Sequence, residues 1–176
     1  GPIALGHRRL KIMDLSDGSA QPMIDNQLGL SLAFNGAIYN FPELRAELEN
    51  LGYAFYSDGD TEVLLKGFHA WGEALLPKLN GMFAFAIWER DTQRLFIARD
   101  RLGVKPLYLS RTGQRLRFAS TLPALLKGGD ISPMLDPVAL NHYLNFHAVV
   151  PAPRTLIAGI EKLPPATWLR VDADGH

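Results

Sequence analysis

Cysteine does not occur anywhere in the 176 residues, and basic and acidic residues balance at 18 each. Without cysteine there is no disulfide framework, which points toward the cytoplasm. The balanced charge leaves no field favouring nucleic acid or an anionic membrane surface. No apolar run approaches the roughly 20 residues that a membrane-spanning helix needs. P-loops, GxGxxG turns and GxSxG elbows are missing too, so NTPase, dinucleotide-binding and serine-hydrolase chemistry have no support. The histidines, His7, His69, His142, His147 and His176, show no metal-ligand spacing. There is no internal repeat and no initial methionine, and Ile3 onward reads as mid-element, like a piece from within a longer protein. These exclusions leave a soluble globular domain long enough to bury a substantial core.

The strongest positive signal is Asn80 to Tyr108. Met82 to Trp88 is apolar at every position, and Leu95 to Ala98 repeats the pattern after the polar connection Glu89 to Gln93. Such a pair reads as a hairpin buried on both faces, in the middle of a layered sandwich. Around it, Ile3 to Met13 and Leu28 to Phe34 read as strands, separated by the polar loop Asp14 to Asn26. The second strand is expected to end at Asn35-Gly36. Asn40 can cap a helix with Pro42 in its first turn, the stripe Leu44, Leu48 and Leu51, and Gly52 as its end. Tyr53 to Tyr56 reads as a short strand. Asp60 caps a longer helix carrying Leu64, Phe68, Trp71 and Leu75, which Pro77 breaks or kinks. Pro106 to Leu109 pairs with Arg115 to Ala119; Leu122 to Leu126 and Val138 to Phe146 are short helices, the latter opened by Asp136-Pro137. From Ala148 on, Pro151, Pro153, Pro164 and Pro165 suggest an extended connection. The expected organisation is therefore a domain over 1–147 and a connection over 148–176.

Several residues have a chemical reading beside a plain one. An Asn amide and a Gly N–H at a strand end, Asn35 and Gly36, can converge on one oxygen as an oxyanion hole; by itself the dipeptide is more often a turn. Asp60 at a helix start usually just caps, and otherwise suits a substrate ammonium. Arg9 in an apolar strand can fork onto a carboxylate, or simply face outward. Arg99, Arg101 and Lys105 make a basic turn, most simply a solvated loop or a domain contact.

In their order, GHRRL (Gly6–Leu10), FNGAIYN (Phe34–Asn40), SDGDTEVLL (Ser57–Leu65), LNGMFAFAIW (Leu79–Trp88) and ARDRLGVKPLY (Ala98–Tyr108) closely resemble the class II glutamine amidotransferase domain. The resemblance is nearest to glutamine-hydrolysing asparagine synthetases. Asn145 to Trp168 is similar to one branch, the N-acetylglutaminylglutamine amidotransferases. The resemblance implies an α+β, four-layer αββα sandwich of two mainly antiparallel sheets, of the N-terminal-nucleophile hydrolase type. In that family an N-terminal cysteine attacks the side-chain amide of glutamine, water releases glutamate, and ammonia passes to a synthetase domain. Carried over residue by residue, Asn35 and Gly36 form the oxyanion hole, Arg9 holds the glutamine α-carboxylate and Asp60 its α-ammonium. The backbone around Leu10 and Ile12 lines the pocket. L-glutamine is the implied ligand and the C-terminal synthetase domain of the same parent the implied partner; a homodimer is a further expectation. No cofactor is implied for this domain, whereas ATP and Mg²⁺ belong to the synthetase domain.

This chain departs from the pattern at several points. Gly1 aligns after the Met-Cys start of the family, so the nucleophile is not among these residues and Gly1 cannot replace it. Ala37 stands where the family usually has glutamate, a loss that weakens ammonium binding or leaves it to Asp60. Gly59 replaces a more frequent serine, and Thr121 a more frequent glutamate. The chain alone is expected to be inactive, either as part of an active glutaminase or as a degenerate, non-hydrolysing domain that holds glutamine or nothing and serves as an interface to a synthetase.

Overall fold

A computed structural model describes residues 2–10, 14 and 16–172 of the protein. These fall into two units, Gly1–Ala98 with Leu169–His176, and Arg99–Trp168. In the first unit β1 (Met23–Asp25), β2 (Leu30–Ile38), β3 (Gly81–Glu89) and β4 (Arg94–Arg99) form a sheet completed by the last strand, β8 (Trp168–Val171), in the order β1-β2-β3-β4-β8. β2 runs antiparallel to β3 from Leu30 opposite Glu89 to Ile38 opposite Gly81. Side chains alternate along both strands. Leu32, Phe34 and Ile38 therefore share a face with Phe83, Phe85 and Ile87, and all six belong to one buried cluster. Phe83 to Ile87 and Leu95 to Ala98 are buried at every position, as the unbroken apolar runs required.

That face is covered by α1 (Phe41–Asn50) and α2 (Asp60–Trp71). α1 contributes Leu44 and Leu48, while α2 is buried on every side from Asp60 to Phe68. The Phe68 ring lies 4.9 Å from that of Phe96, which fastens α2 to the sheet through an aromatic pair. A short 3₁₀ turn, Gly72–Ala74, and α3 (Leu75–Lys78) lead on to β3.

The second unit is built on a three-stranded sheet of β5 (Tyr108–Thr112), β6 (Arg115–Ala119) and β7 (Glu161–Lys162), in the order β6-β5-β7. Its helices are α4 (Leu122–Leu126) and α5 (Pro137–Asn145). The Asp136 carboxylate caps α5 by accepting from Val138 N–H at 2.9 Å and Ala139 N–H at 3.0 Å. The observed class is thus mixed α+β with two antiparallel sheets.

The structure corrects several local expectations. Residues 2–10 alternate half-buried and exposed like a strand, yet no ladder pairs them among the described residues; alternation fixes side-chain direction but not a hydrogen-bonding neighbour. Tyr53 to Tyr56 behaves the same way. Asn40 stands at the N-cap of α1 but spends its side chain elsewhere, donating to Lys78 O at 2.9 Å and accepting from Asn80 N–H at 2.8 Å. Leu51 is exposed and lies past the end of the stripe. Gly72 at φ +54 ends α2 well before Pro77, which falls within the four-residue α3. The stretch 148–176 contributes β7 and β8 to the two sheets. Arg99 is no solvated turn residue: it is buried and donates to the carbonyls of Lys105, Gly103 and Leu163.

A buried ion pair holds the segment leading into α2. Glu62 is 0% exposed and pairs with Lys66, one turn on, which is 6% exposed. The Glu62 carboxylate accepts from Ser57 N–H and the Ser57 hydroxyl, each at 2.7 Å, and from Tyr56 N–H at 3.2 Å. Lys66 donates to Ala54 O and lies 4.7 Å from the centre of the Phe55 ring. Removing one partner leaves the other charge buried and uncompensated. Lys66→Met should therefore destabilise the domain by about 3–5 kcal/mol, and Lys66→Arg, which keeps the cation, by clearly less, as read from guanidinium unfolding midpoints.

Candidate functional site

The open edge of β2 begins where β1 stops. The last β1 pair is Met23 opposite Leu32. Beyond it, Phe34 N–H is satisfied by the Gln21 side-chain oxygen at 2.6 Å, and Ile38 N–H by Asp60 Oδ2 at 2.9 Å. In an antiparallel strand alternate residues direct their N–H and C=O groups to the same neighbour. Tyr39 N–H, out of phase with these, bonds on the β3 side to Asn80 O at 2.7 Å. Gly36 must therefore turn its N–H to the open edge, between the satisfied groups of Phe34 and Ile38. No described residue accepts from it.

Asn35-Gly36 is accordingly not a turn: both residues are paired within β2, opposite Ala84 and Phe83. The strand continues because glycine lets β3 come close. A Cβ on Gly36 would meet Met82 O at 2.2 Å and Phe83 Cα at 2.8 Å. Asn35 and Ala37 project on the face opposite Phe34 and Ile38. Asn35 is half-buried with no hydrogen bond from its side-chain amide among the described residues, and Ala37 is buried.

Asp60 occupies the first turn of α2, whose N-cap is Gly59. It does not serve as the N-cap; its carboxylate is used to terminate the edge of β2 at Ile38. Burial pushes its pKa up, against the lowering effects of backbone N–H groups, Ile38 first, and of the nearby Arg9 charge. Arg9 is half-buried and donates to Ser16 O at 2.7 Å and to Asp14 O. Guanidinium carries five N–H donors, so these two bonds leave others to offer. The Asp14 carboxyl is held well below the usual carboxylate range, chiefly by the Ser19 hydroxyl at 2.6 Å and next by Ser16, whose N–H lies at 2.7 Å. His7, beside Arg9, has its pKa lowered by burial, partly countered by a hydrogen bond with the Phe34 backbone.

Gly36 and Asp60 thus lie along one strand edge, with the Arg9 charge near enough to act on Asp60. Leu10 has a 79% exposed side chain, and Ile12 lies outside the described residues. Among the described residues no group of three or more His, Cys, Asp or Glu side chains is placed to hold a metal ion, and no helix is long and apolar enough to cross a membrane. Sequence reasoning missed Asp14, Ser19, Gln21 and the Glu62–Lys66 pair. The last left a signal, an acid and a base one turn apart on a helix whose middle, Val63 to Leu65 with Gly67 and Phe68, is otherwise apolar.

The sequence profile of the glutamine amidotransferase domain matches residues 1–176. The chain belongs to this family. Asparagine synthetase (glutamine-hydrolyzing) 1 of Bacillus subtilis (strain 168) is 41% identical over 98% of this chain and 27% of its own length. A putative asparagine synthetase (glutamine-hydrolyzing) of Mycobacterium tuberculosis (strain ATCC 25618 / H37Rv) is 38% identical over 99% of this chain and 28% of its own. The chain therefore spans little more than a quarter of these curated relatives. Among solved structures, glutamine phosphoribosylpyrophosphate amidotransferase from B. subtilis, complexed with ADP and GMP, aligns with TM-score 0.58 and 25% identity over 88% of this chain and 30% of that one. A second, described as the allosteric regulatory enzyme of purine biosynthesis, gives TM-score 0.59 at 22% identity over 95% of this chain and 33% of that one, a likeness of fold.

Gly36→Ala should cost about 1–3 kcal/mol or more, because backbone rather than a pliable side chain blocks the new Cβ; thermal unfolding checks this. Asp60 carries the opposite sign in pH. With its folded pKa raised, its favourable contribution is complete below the unfolded pKa and is lost as pH rises through the folded value. Asp60→Asn, which keeps an oxygen for Ile38 N–H, should therefore raise the melting temperature at neutral pH relative to the parent chain. That gain should shrink on acidification through the carboxylate range.

Proposed function

We propose that this chain is the glutamine-recognising part of a glutamine-dependent, ATP-dependent amidotransferase of the asparagine synthetase type. Arg9 binds the α-carboxylate, Asp60 the α-ammonium, and the Gly36 N–H with the Asn35 amide receives the oxygen of the side-chain amide as negative charge develops there. What supports the reading is a buried anion bonded to the edge of β2, a cation near enough to act on it, and a Gly36 N–H with no acceptor among the described residues. Glutamine is a zwitterion with an amide, and needs those groups and no more.

Hydrolysis calls for a thiol nucleophile, and the 176 residues carry no cysteine. In the parent protein the thiolate attacks the amide carbon, ammonia departs, and water cleaves the resulting thioester to give glutamate. Ammonia is then used by a synthetase domain that binds ATP and Mg²⁺. The family's four-layer αββα stacking and a link to the N-acetylglutaminylglutamine branch, suggested by Asn145 to Trp168, belong to the same proposal. A second reading, a domain that binds glutamine without hydrolysing it, is favoured by Ala37, which removes a carboxylate from the site.

Calorimetric titration of L-glutamine into the 176-residue chain tests the reading. Binding is expected, and Arg9→Ala and Asp60→Asn should each weaken it by about 1.5–3 kcal/mol, the worth of a hydrogen bond to a charged group. Affinity should fall as pH drops through the raised Asp60 pKa, since the neutral acid has no charge to offer the ammonium, and Asp60→Asn should abolish that dependence. Absence of glutamine binding in the unsubstituted chain overturns the assignment. In an intact parent enzyme, Arg9→Ala should raise the glutamine KM and spare ammonia-dependent synthesis; equal loss of both would make Arg9 structural.

A further inference from the structure

The two charges of the proposed site come from different segments, Arg9 from the N-terminal stretch and Asp60 from α2. A buried polar link joins them. Arg9 grips the carbonyls of Asp14 and Ser16, and the Asp14 carboxylate in turn holds Ser16 N–H at 2.7 Å and the Ser19 hydroxyl at 2.6 Å. Asp14 is 8% exposed and Ser19 1%. Ser19 then abuts Gly59, the residue bonded to Asp60: a Cβ built on Gly59 would meet Ser19 Oγ at 2.5 Å, Asp14 Cβ at 3.2 Å and Ser19 Cβ at 3.4 Å. Gly59 has φ −94 and ψ 165, extended backbone open to any residue, so glycine is needed here for space and not for conformation. One step earlier, a Cβ on Gly18 would touch Ser57 Cβ at 3.5 Å, and Ser57 is clamped by buried Glu62. The α2 side of the contact is anchored through Ser57, and the Ser19 hydroxyl can yield only by breaking its bond to Asp14 or by shifting the segment that carries Arg9.

We propose that the Ser19 hydroxyl seated against Gly59 is a spacer that sets the separation between the Arg9 guanidinium and the Asp60 carboxylate, and so selects a ligand carrying both an α-carboxylate and an α-ammonium. Ser19 and Gly59 touch no ligand; they act as positioning residues through Asp14 and Asp60. This inference rests on the glutamine reading and adds the origin of its selectivity.

Moving the hydroxyl from one side of the contact to the other tests it. Gly59→Ser alone drives a side chain into Ser19 and should raise the L-glutamine Kd about tenfold or more, while glutaramate, which lacks the ammonium, and 4-aminobutanamide, which lacks the carboxylate, change by less than about threefold. Adding Ser19→Ala makes room and lets the introduced hydroxyl take the vacated place beside Asp14, so most of the glutamine affinity should return. Equal loss for all three ligands, or no recovery in the double variant, overturns the spacer. If the unsubstituted chain binds no L-glutamine, the functional reading fails, and with it the selectivity. Thermal unfolding then decides the contact itself: the double variant must melt well above the sum of the single effects, and additive losses refute it.

Discussion

Everything in the first unit depends on the register of β2 against β3, Phe34 opposite Phe85 and Gly36 opposite Phe83. A slip of one residue would carry Leu32, Phe34 and Ile38 out of the core cluster and put Asn35 and Ala37 into it. It would also turn the Gly36 N–H from the open edge toward β3. The pairing that builds the core is therefore also the pairing that sets the direction of the Gly36 N–H in the proposed site. Gly36 ties these together: its missing side chain admits the β3 backbone, and its N–H has no acceptor among the described residues.

Around this ladder the domain uses buried charge to organise backbone, even where, as at Glu62, the charge is also paired with another. Glu62 gathers the N–H groups of Tyr56 and Ser57, and Asp14 gathers Ser16 and Ser19. In the second unit Asp100, 1% exposed, accepts from Leu102, Val104 and Lys105 N–H at 2.9–3.1 Å, while Arg99 collects carbonyls from the same loop. Each is a carboxylate or guanidinium standing in for a strand that irregular segments lack. The ARDRLGVKP signature is thus first of all a folded loop.

What could be read beforehand was whatever depends on local periodicity. The doubly buried hairpin of β3 and β4, the Asp136 cap of α5 and the C-terminal role of Gly52 at φ +92 came through because one residue's neighbours decide them. The features that failed depend on distant partners. Asn35-Gly36 has the composition of a turn, and only the nine-residue β3 opposite keeps β2 straight through it. Residues 2–10 have the alternation of a strand but no ladder among the described residues. Arg9 and Asp60 were placed by likeness to a family; their electrostatic coupling, and the Asp14–Ser19–Gly59 link between their segments, are long-range facts that no spacing encodes.

The double duty of Asp60 bears on how sequences of this kind should be compared. Its carboxylate ends the edge of β2 as well as facing the site, and Arg9 holds two backbone carbonyls whatever else it binds. A relative that had lost all interest in glutamine would still gain from an Arg at position 9 and from an oxygen at position 60, which asparagine supplies as well as aspartate. Persistence of Arg9 is then poor testimony for activity, whereas a buried carboxylate kept at position 60 against its desolvation cost is better testimony. Asn35 is different: its amide supports nothing else in the described domain, so drift at that position would be the first mark of an abandoned chemistry.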